Sequence, residues 1–492
     1  MAITRRQFLT RTGLVTAGGM LGPGLLGSPL IRRALADTIG DRYFVVVYLD
    51  GGNDGQNTVI PVNNVDGSLR DQYTDARQPA SGSNPGGLQL STGSLAGTTL
   101  GAVGSNPGID PNTHCNLALH PGYSGLKSLY TSEGNVAVIQ GCGYPNYNLS
   151  HDVSRHVWQK ADPLASRANG WVGRYLAANY SGADIPAVNI NDRIFGEYAQ
   201  SATSVLALNR LADFGFPYQD FDSDDNPAQK SALLDLFAAA SAASQPPVRQ
   251  FIGNGGTATV DASDTYPLLD GEYTSARGTY DQMYSDLDSG FANDLREVAK
   301  VIWGVANNAH PNVKARFFEV SNGGYDTHSD QGGATGQQFE LHQDVGNAIE
   351  VFYNDCKNMV VGGERVSDKL CIVIWSEFSR RIQQNDSGTD HGSQGPVFVI
   401  GGKVQGGVYG NHPDIDPLAL NDDGNSMYSQ DSGNGFRSTD IRDVYGTILQ
   451  NWLGMPHATI LSSVLALDTV PQNGSANDYW TAENFNVFPF SP

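Results

Sequence analysis

Five stretches of largely apolar sequence, most of them rich in β-branched residues, constrain the fold most: Tyr43–Leu49, Asn135–Ile139, Arg316–Val320, Leu370–Trp375 and Val397–Ile400. A strand with one wet face alternates apolar and polar residues, whereas a strand covered on both faces reads as a continuous run. Between these runs, Phe291–Val305, Phe339–Phe352 and Asp440–Leu453 carry apolar residues at helical spacing, and Gly454 stands where a left-handed residue would end the last of them. Buried strands alternating with amphipathic helices predict an α/β fold around a mostly parallel central sheet. The joins are rich in Gly, Asn, Ser and Asp. Residues 79–113 read as a long surface excursion, and 218–232 and 252–280 as parts of an insertion or cap, which places insertions near 79–113 and 218–280.

The amino terminus carries a different signal. Thr4-Arg5-Arg6-Gln7-Phe8-Leu9-Thr10 has a small polar residue, paired arginines, any residue and two apolar ones. The apolar stretch that follows, Gly13–Leu30, is broken by Gly and Pro and makes a poor membrane span. It leads to Ala34-Leu35-Ala36, a small-x-small cleavage signal. The reading is a twin-arginine signal peptide over residues 1–36, used by the twin-arginine translocase and then removed. It leaves a single domain over 37–492, periplasmic or secreted, with no stable membrane span in the mature form. The signal holds five of the 30 basic residues and no acid, so the mature chain sets 25 basic against 51 acidic residues. Such a surface repels nucleic acid and anionic lipid and excludes both as partners. The four cysteines (115, 142, 356 and 371) match no zinc-ligand spacing and leave disulfides and buried thiols both open.

In parallel α/β sheets ligands collect beyond the carboxyl ends of the strands. Polar residues gather there in five places: Asp50–Thr58, Gly141–His151, Ser321–His328, Ser376–Arg381 and, just before the last apolar run, Gly388–Gly392. Carboxylates mixed with imidazoles suit a divalent metal, zinc or manganese first and calcium as a further option. Ser150 stands where it could cap the helix that follows. Asp220-Phe221-Asp222-Ser223-Asp224 opens like a calcium loop but lacks that loop's glycine and closing glutamate. No Gly-x-Ser-x-Gly elbow and no phosphate-binding glycine motif occurs after a strand, which argues against a lipase and a nucleotide cofactor.

Leu49–Thr58, Gly324–His328, Ser376–Arg380 and Gly388–Gly392, together with the twin-arginine start and Gly401-Gly402-Lys403-Val404-Gln405-Gly406-Gly407, resemble a bacterial family known as domain of unknown function 1501. That family is similar to the alkaline phosphatase and sulfatase superfamily. The resemblance implies an alkaline-phosphatase-like three-layer α/β/α sandwich with a mostly parallel central sheet, and hydrolysis of phosphate or sulfate esters on a metal pair. Asp54 looks like the superfamily's first-strand metal aspartate, Asp326 and His328 like its Asp and His pair, and His391 like its late histidine ahead of a strand. Ser150 falls where the nucleophile belongs. Asp326, His328 and His391 would hold one ion, Asp54, Glu377 and Asp390 are candidates for a second, and Arg380 is a candidate for pairing with the anion. Phe378 departs from the pattern, standing where the superfamily has a metal histidine. His114, His120, His151, His156, His342 and His412 lie outside the shared motifs. The expected function is an exported metal-dependent hydrolase of an anionic ester. The alternative is a non-catalytic exported protein that binds or assembles a partner or an envelope polymer. A chain carrying Arg5→Lys and Arg6→Lys should accumulate uncleaved in the cytoplasm, whereas the native precursor should yield a mature amino terminus at Asp37. Cell fractionation with amino-terminal sequencing checks both.

Overall fold

The computed structural model describes residues 42–491 apart from 82–85, 146, 165, 181–184, 192, 200–202, 216–225, 416–437, 466–479 and 481–484. Residues 1–36, the expected signal peptide, and the acidic Asp220–Asp224 segment lie outside the described residues. The strands come in this order: β1 (Tyr43–Leu49), β2 (Val59–Pro61), β3 (Leu117–Leu119), β4 (Val136–Gly143) and β5 (Ala187–Ile190). Next are β6 (Val205–Leu208), β7 (Phe317–Asn322), β8 (Val360–Val361), β9 (Glu364–Arg365) and β10 (Leu370–Trp375). The last five are β11 (Ser379–Gln384), β12 (Thr389–Gly392), β13 (Gly395–Ile400), β14 (Gly407–Tyr409) and β15 (Thr439–Asp440).

Nine of these form one sheet in the order β14-β4-β13-β10-β1-β7-β5-β6, with β15 also pairing β4. β1 runs parallel to both β10 and β7. Only β13 is reversed, antiparallel to β10 on one side and to β4 on the other. The fold is therefore α/β with a mostly parallel central sheet. The five apolar runs are its strands β1, β4, β7, β10 and β13. The short strands β5 and β6 were not anticipated, although β6 is a four-residue apolar run, Val205-Leu206-Ala207-Leu208.

Every residue of β1 is buried, and its side chains feed two cores in alternation. Tyr43, Val45, Val47 and Leu49 pack with Leu126, Leu295, Ile302, Ile349 and Phe352. These come from the helices Ser124–Ser132, Gly290–Ala306 and Gln337–Asn358. Phe44, Val46 and Tyr48 pack with Val157, Trp158, Val172, Leu176 and Val444. These come from the helices His151–Lys160, Trp171–Asn179 and Ile441–Thr447. Each fully buried large aliphatic side chain contributes roughly 1.5–3 kcal/mol, so a strand apolar on both faces is stable only between two helical layers. The three expected helices form. The last starts on an Asp440 cap, continues through a π-helical turn at Ile448–Trp452, and stops before Gly454, whose φ is +70°.

Two segments differ from the sequence reading. Residues 252–280 lie in the helical span Pro247–Asp286, which kinks at Arg277 (φ −128°, ψ 25°) and packs along the helix Asn226–Ser241. Gly253 and Gly256 allow the approach, since a Cβ at either position would strike the Ser241 backbone or the Phe237 ring. The small residues that suggested an irregular cap are contact points between helices. In the 79–113 segment, Leu88, Leu90, Leu95 and Leu100 are buried, the last three in the first core, so that excursion is anchored rather than solvated. All four cysteines are buried free thiols. Among the described residues no helix is long and apolar enough to cross a membrane.

Glu319 sits mid-sheet on β7, between Val46 and Asn189, and faces Glu197; both are fully buried. Burial first, and then each other's proximity, raises the Glu319 carboxyl well above its usual range. Burial raises Glu197 to about 8. Both carboxyls hold protons more tightly folded than unfolded. Their contribution to stability is thus fullest below the unfolded carboxyl range and falls as pH rises through the folded values. Glu319→Gln should flatten this dependence. The loss of unfolding midpoint between about pH 5 and about pH 8 should be smaller than in the native protein, and equal slopes in thermal melts would refute the assignment.

Candidate functional site

Because β13 is reversed, the residues that precede it reach the rim where β1, β4, β7 and β10 end. The loops at that rim are sewn together. Ser376 Oγ accepts from Asn53 N–H (2.9 Å) and donates to the Leu49 carbonyl (2.7 Å). Glu377 accepts from the Gly51 N–H (3.0 Å). Gly51 and Gly52 have φ of +123° and +76°, and a Cβ on either would strike the Tyr325–Asp326 backbone or the Phe378 ring. Arg380 is fully buried and donates to the carbonyls of Gly52 (2.7 Å), Gly51 (2.6 Å), Tyr325 (3.1 Å) and Thr389 (2.9 Å), and to Asp326 Oδ1 (2.5 Å). Its cross-strand partner on the β11–β12 ribbon is His391.

Three imidazoles converge on Asp326. His391 Nε2 lies 3.3 Å and His328 Nε2 3.1 Å from Oδ1, while His151 Nε2 lies 3.5 Å from Oδ2. The two nitrogens Nε2 of His328 and His391 are 2.9 Å apart. Each ring is held from behind at Nδ1 by an oxygen that can only accept. His151 donates to Glu377 Oε1 (2.7 Å), His391 to the Leu149 carbonyl (2.7 Å) and His328 to Asp390 Oδ1 (3.3 Å). With the proton on Nδ1, every neutral ring turns its Nε2 lone pair inward. Lone pairs and a carboxylate facing one another at these distances repel unless a cation or a proton lies among them. This is the arrangement in which histidine ligands are oriented by oxygens behind them.

The titration behaviour follows the contacts. Burial alone would raise the Asp326 carboxyl, but the hydrogen bond and charge of Arg380, with His391 and His151, bring it down to about 2. Its form at neutral pH is the carboxylate. Desolvation lowers His391 below its ordinary value and favours the neutral ring. The hydrogen bond to Glu377 raises His151.

The other sequence candidates fall around this cluster in different roles. Asp390 is exposed and steadies His328. Glu377 is buried, with its oxygens used by His151, the Gly51 N–H and Ser376. Arg380 is engaged with backbone carbonyls and Asp326, so its guanidinium positions the site rather than facing a ligand. Phe378 packs its ring 4.7 Å from that of His151 and 4.4 Å from that of His391. Ser150 is exposed at the amino end of the helix His151–Lys160 and makes no side-chain cap bond. Sequence reasoning passed over His151. Its one signal was position: it is the first helical residue after β4, next to Ser150.

Asp54 does not join the cluster. Its carboxylate takes two bonds from Arg77 (2.7 and 3.1 Å), one from Gln331 (2.6 Å) and one from the N–H of Gln56 (3.1 Å). Both members of the Arg77 pair are wholly buried. Asp54→Ala strands a buried guanidinium and should cost about 3–5 kcal/mol of stability. Denaturant titration measures this, and a loss under about 1 kcal/mol would contradict the structural role.

Comparison with curated proteins and with solved structures finds no match to the chain. Residues 310–431 match the family model described as "Protein of unknown function (DUF1501)", a stretch that carries Asp326, His328, Glu377, Arg380, Asp390 and His391 and supports, over that span, the family resemblance of the motifs.

Proposed function

We propose that the protein is an exported, metal-dependent hydrolase of phosphate or sulfate esters, built on an alkaline-phosphatase-like sandwich. The observation that carries the reading is the convergence of three imidazole Nε2 atoms on the Asp326 carboxylate, each ring anchored from behind. Nitrogen donors with one carboxylate suit zinc or manganese, whereas calcium prefers oxygen donors throughout. A divalent ion held there would supply Lewis acidity toward an ester oxygen.

The chain's own groups would do the rest. Asp326 is kept ionised by Arg380, and the three rings are kept in one tautomer by Glu377, Leu149 and Asp390. Ser150 lies between Leu149, which anchors His391, and His151, which faces Asp326. Its hydroxyl is exposed and unused as a cap, and it would attack phosphorus or sulfur, breaking the bond to the ester oxygen so that the alcohol leaves with the hydroxyl's proton and a covalent serine ester forms, which water then cleaves to free the inorganic anion. The free N–H groups of the first turn of the helix His151–Lys160 favour the anion. Arg380 acts on the anion only through Asp326. The twin-arginine start and the cleavage signal support a periplasmic or secreted location.

A second reading, a non-catalytic binding or assembly protein, is favoured by Phe378 packed against the two imidazoles and by Asp54 closed off by Arg77. A panel of phosphomonoesters, phosphodiesters and sulfate esters separates the two. Protein purified without chelators should hydrolyse at least one class, lose that activity on chelation and regain it with zinc or manganese. Ser150→Ala should lower kcat at least ~1,000-fold. A folded His391→Ala protein with unchanged turnover would remove the mechanism. A metal-loaded protein inert to the whole panel would favour the second reading.

A further inference from the structure

We infer that this centre takes one divalent ion, held by Nε2 of His151, His328 and His391 and by the Asp326 carboxylate, rather than the metal pair that the phosphatase resemblance implies. The inference rests on the metal-dependent reading above and fixes its stoichiometry and ligand set.

Two lines of geometry carry it. The first is the donor set itself. The ligand atoms of His151, Asp326 and His391 all lie within 4.8 Å of one another. His328 Nε2, outside that group of three, touches two of its members, at 3.1 Å from Asp326 and 2.9 Å from His391. The contacts of 2.9–3.5 Å among these atoms fit one ion with bonds of about 2.0–2.2 Å. Each ring also has the oxygen behind it that metal-bound histidines require.

The second line is that the acids expected to bind another ion are already used. Asp54 is saturated by Arg77, Gln331 and the turn N–H of Gln56. Glu377 is fully buried and divides its oxygens among Gly51, Ser376 and His151. Asp390 holds His328 in place. To release Asp54 or Glu377 toward an ion would strand buried Arg77 or let His151 turn, and the Phe378 ring offers no donor. The chain has thus exchanged the second ion's ligands for a buried ion pair and a histidine anchor, while His151, from outside the shared motifs, completes the first.

The test is metal content and binding, read independently of turnover. Full-length mature protein is stripped with a chelator and titrated with zinc or manganese, and bound metal is counted by elemental mass spectrometry and calorimetry. One ion per chain is expected. Two ions would overturn the single-ion inference and leave the hydrolase reading standing; none would overturn both. His151→Ala should weaken binding at least ~100-fold, and Glu377→Gln should keep one ion per chain with affinity lowered ~10–100-fold. Unchanged affinity in His151→Ala would remove His151 from the set. Folding is followed by circular dichroism. A readout on the unaltered protein guards against a misfolded variant. With nitrogen-labelled histidine, zinc should shift the Nε2 resonances of three of the ten histidines, and fewer than three would overturn the ligand set.

Discussion

The guanidinium of Arg380 organises the rim. It is buried, always charged, and joined to four backbone carbonyls and one carboxylate drawn from three separate loops. An unpaired cation at such a depth would cost several kcal/mol, so each loop is held in the conformation that offers its oxygen. The positive φ values of Gly51 and Gly52 are the local consequence, since those peptides must turn their carbonyls toward the guanidinium while leaving room for Phe378. Lysine would not substitute, because one ammonium lacks the planar fork that reaches several directions at once.

A second buried charge works in the opposite sense. Glu377 collects the Gly51 N–H, Ser376 and His151, and so converts the end of β10 into an anchor for a ring that comes from β4's side of the sheet. Arg380 and Glu377, three residues apart, fix the carboxylate and one imidazole of the cluster respectively. The ring of Phe378 between them sets the position of His151 and His391 by contact. Positioning a site through buried, fully hydrogen-bonded charges makes it rigid at the expense of stability, a cost that the two large cores on either side of the sheet offset.

Much of the scaffold was legible in the sequence because it depends on local pattern. Unbroken apolar runs require burial on both faces, and β1 and β10 match their predicted spans at both ends. The short motifs also announced Asp326, His328, Asp390 and His391, which lie together at the rim. The helical span Pro247–Asp286, kinked at Arg277, was illegible because its Gly, Ser and Thr content argues against a helix on propensity alone. Packing against the neighbouring helix overrides that preference. The anchoring of 79–113 was hidden for a related reason: four separated leucines show no periodicity, yet each is buried.

What the sequence determined by itself is a sheet buried on both faces with acids and imidazoles at its strand ends. Hydrophobic periodicity and turn composition act over a few residues, and both can be read from neighbours in the chain. Which of those polar groups meet was decided only by tertiary structure. Asp54 resembles a ligand until Arg77, twenty-three positions away, takes its oxygens. His151 looks incidental until Glu377, 226 positions away, orients it toward Asp326. The reversal of β13, which brings His391 to the shared rim, follows from sheet topology, and no local pattern encodes it. Coordination and ion pairing act over a few ångströms, and distances of that kind exist only once the chain has folded.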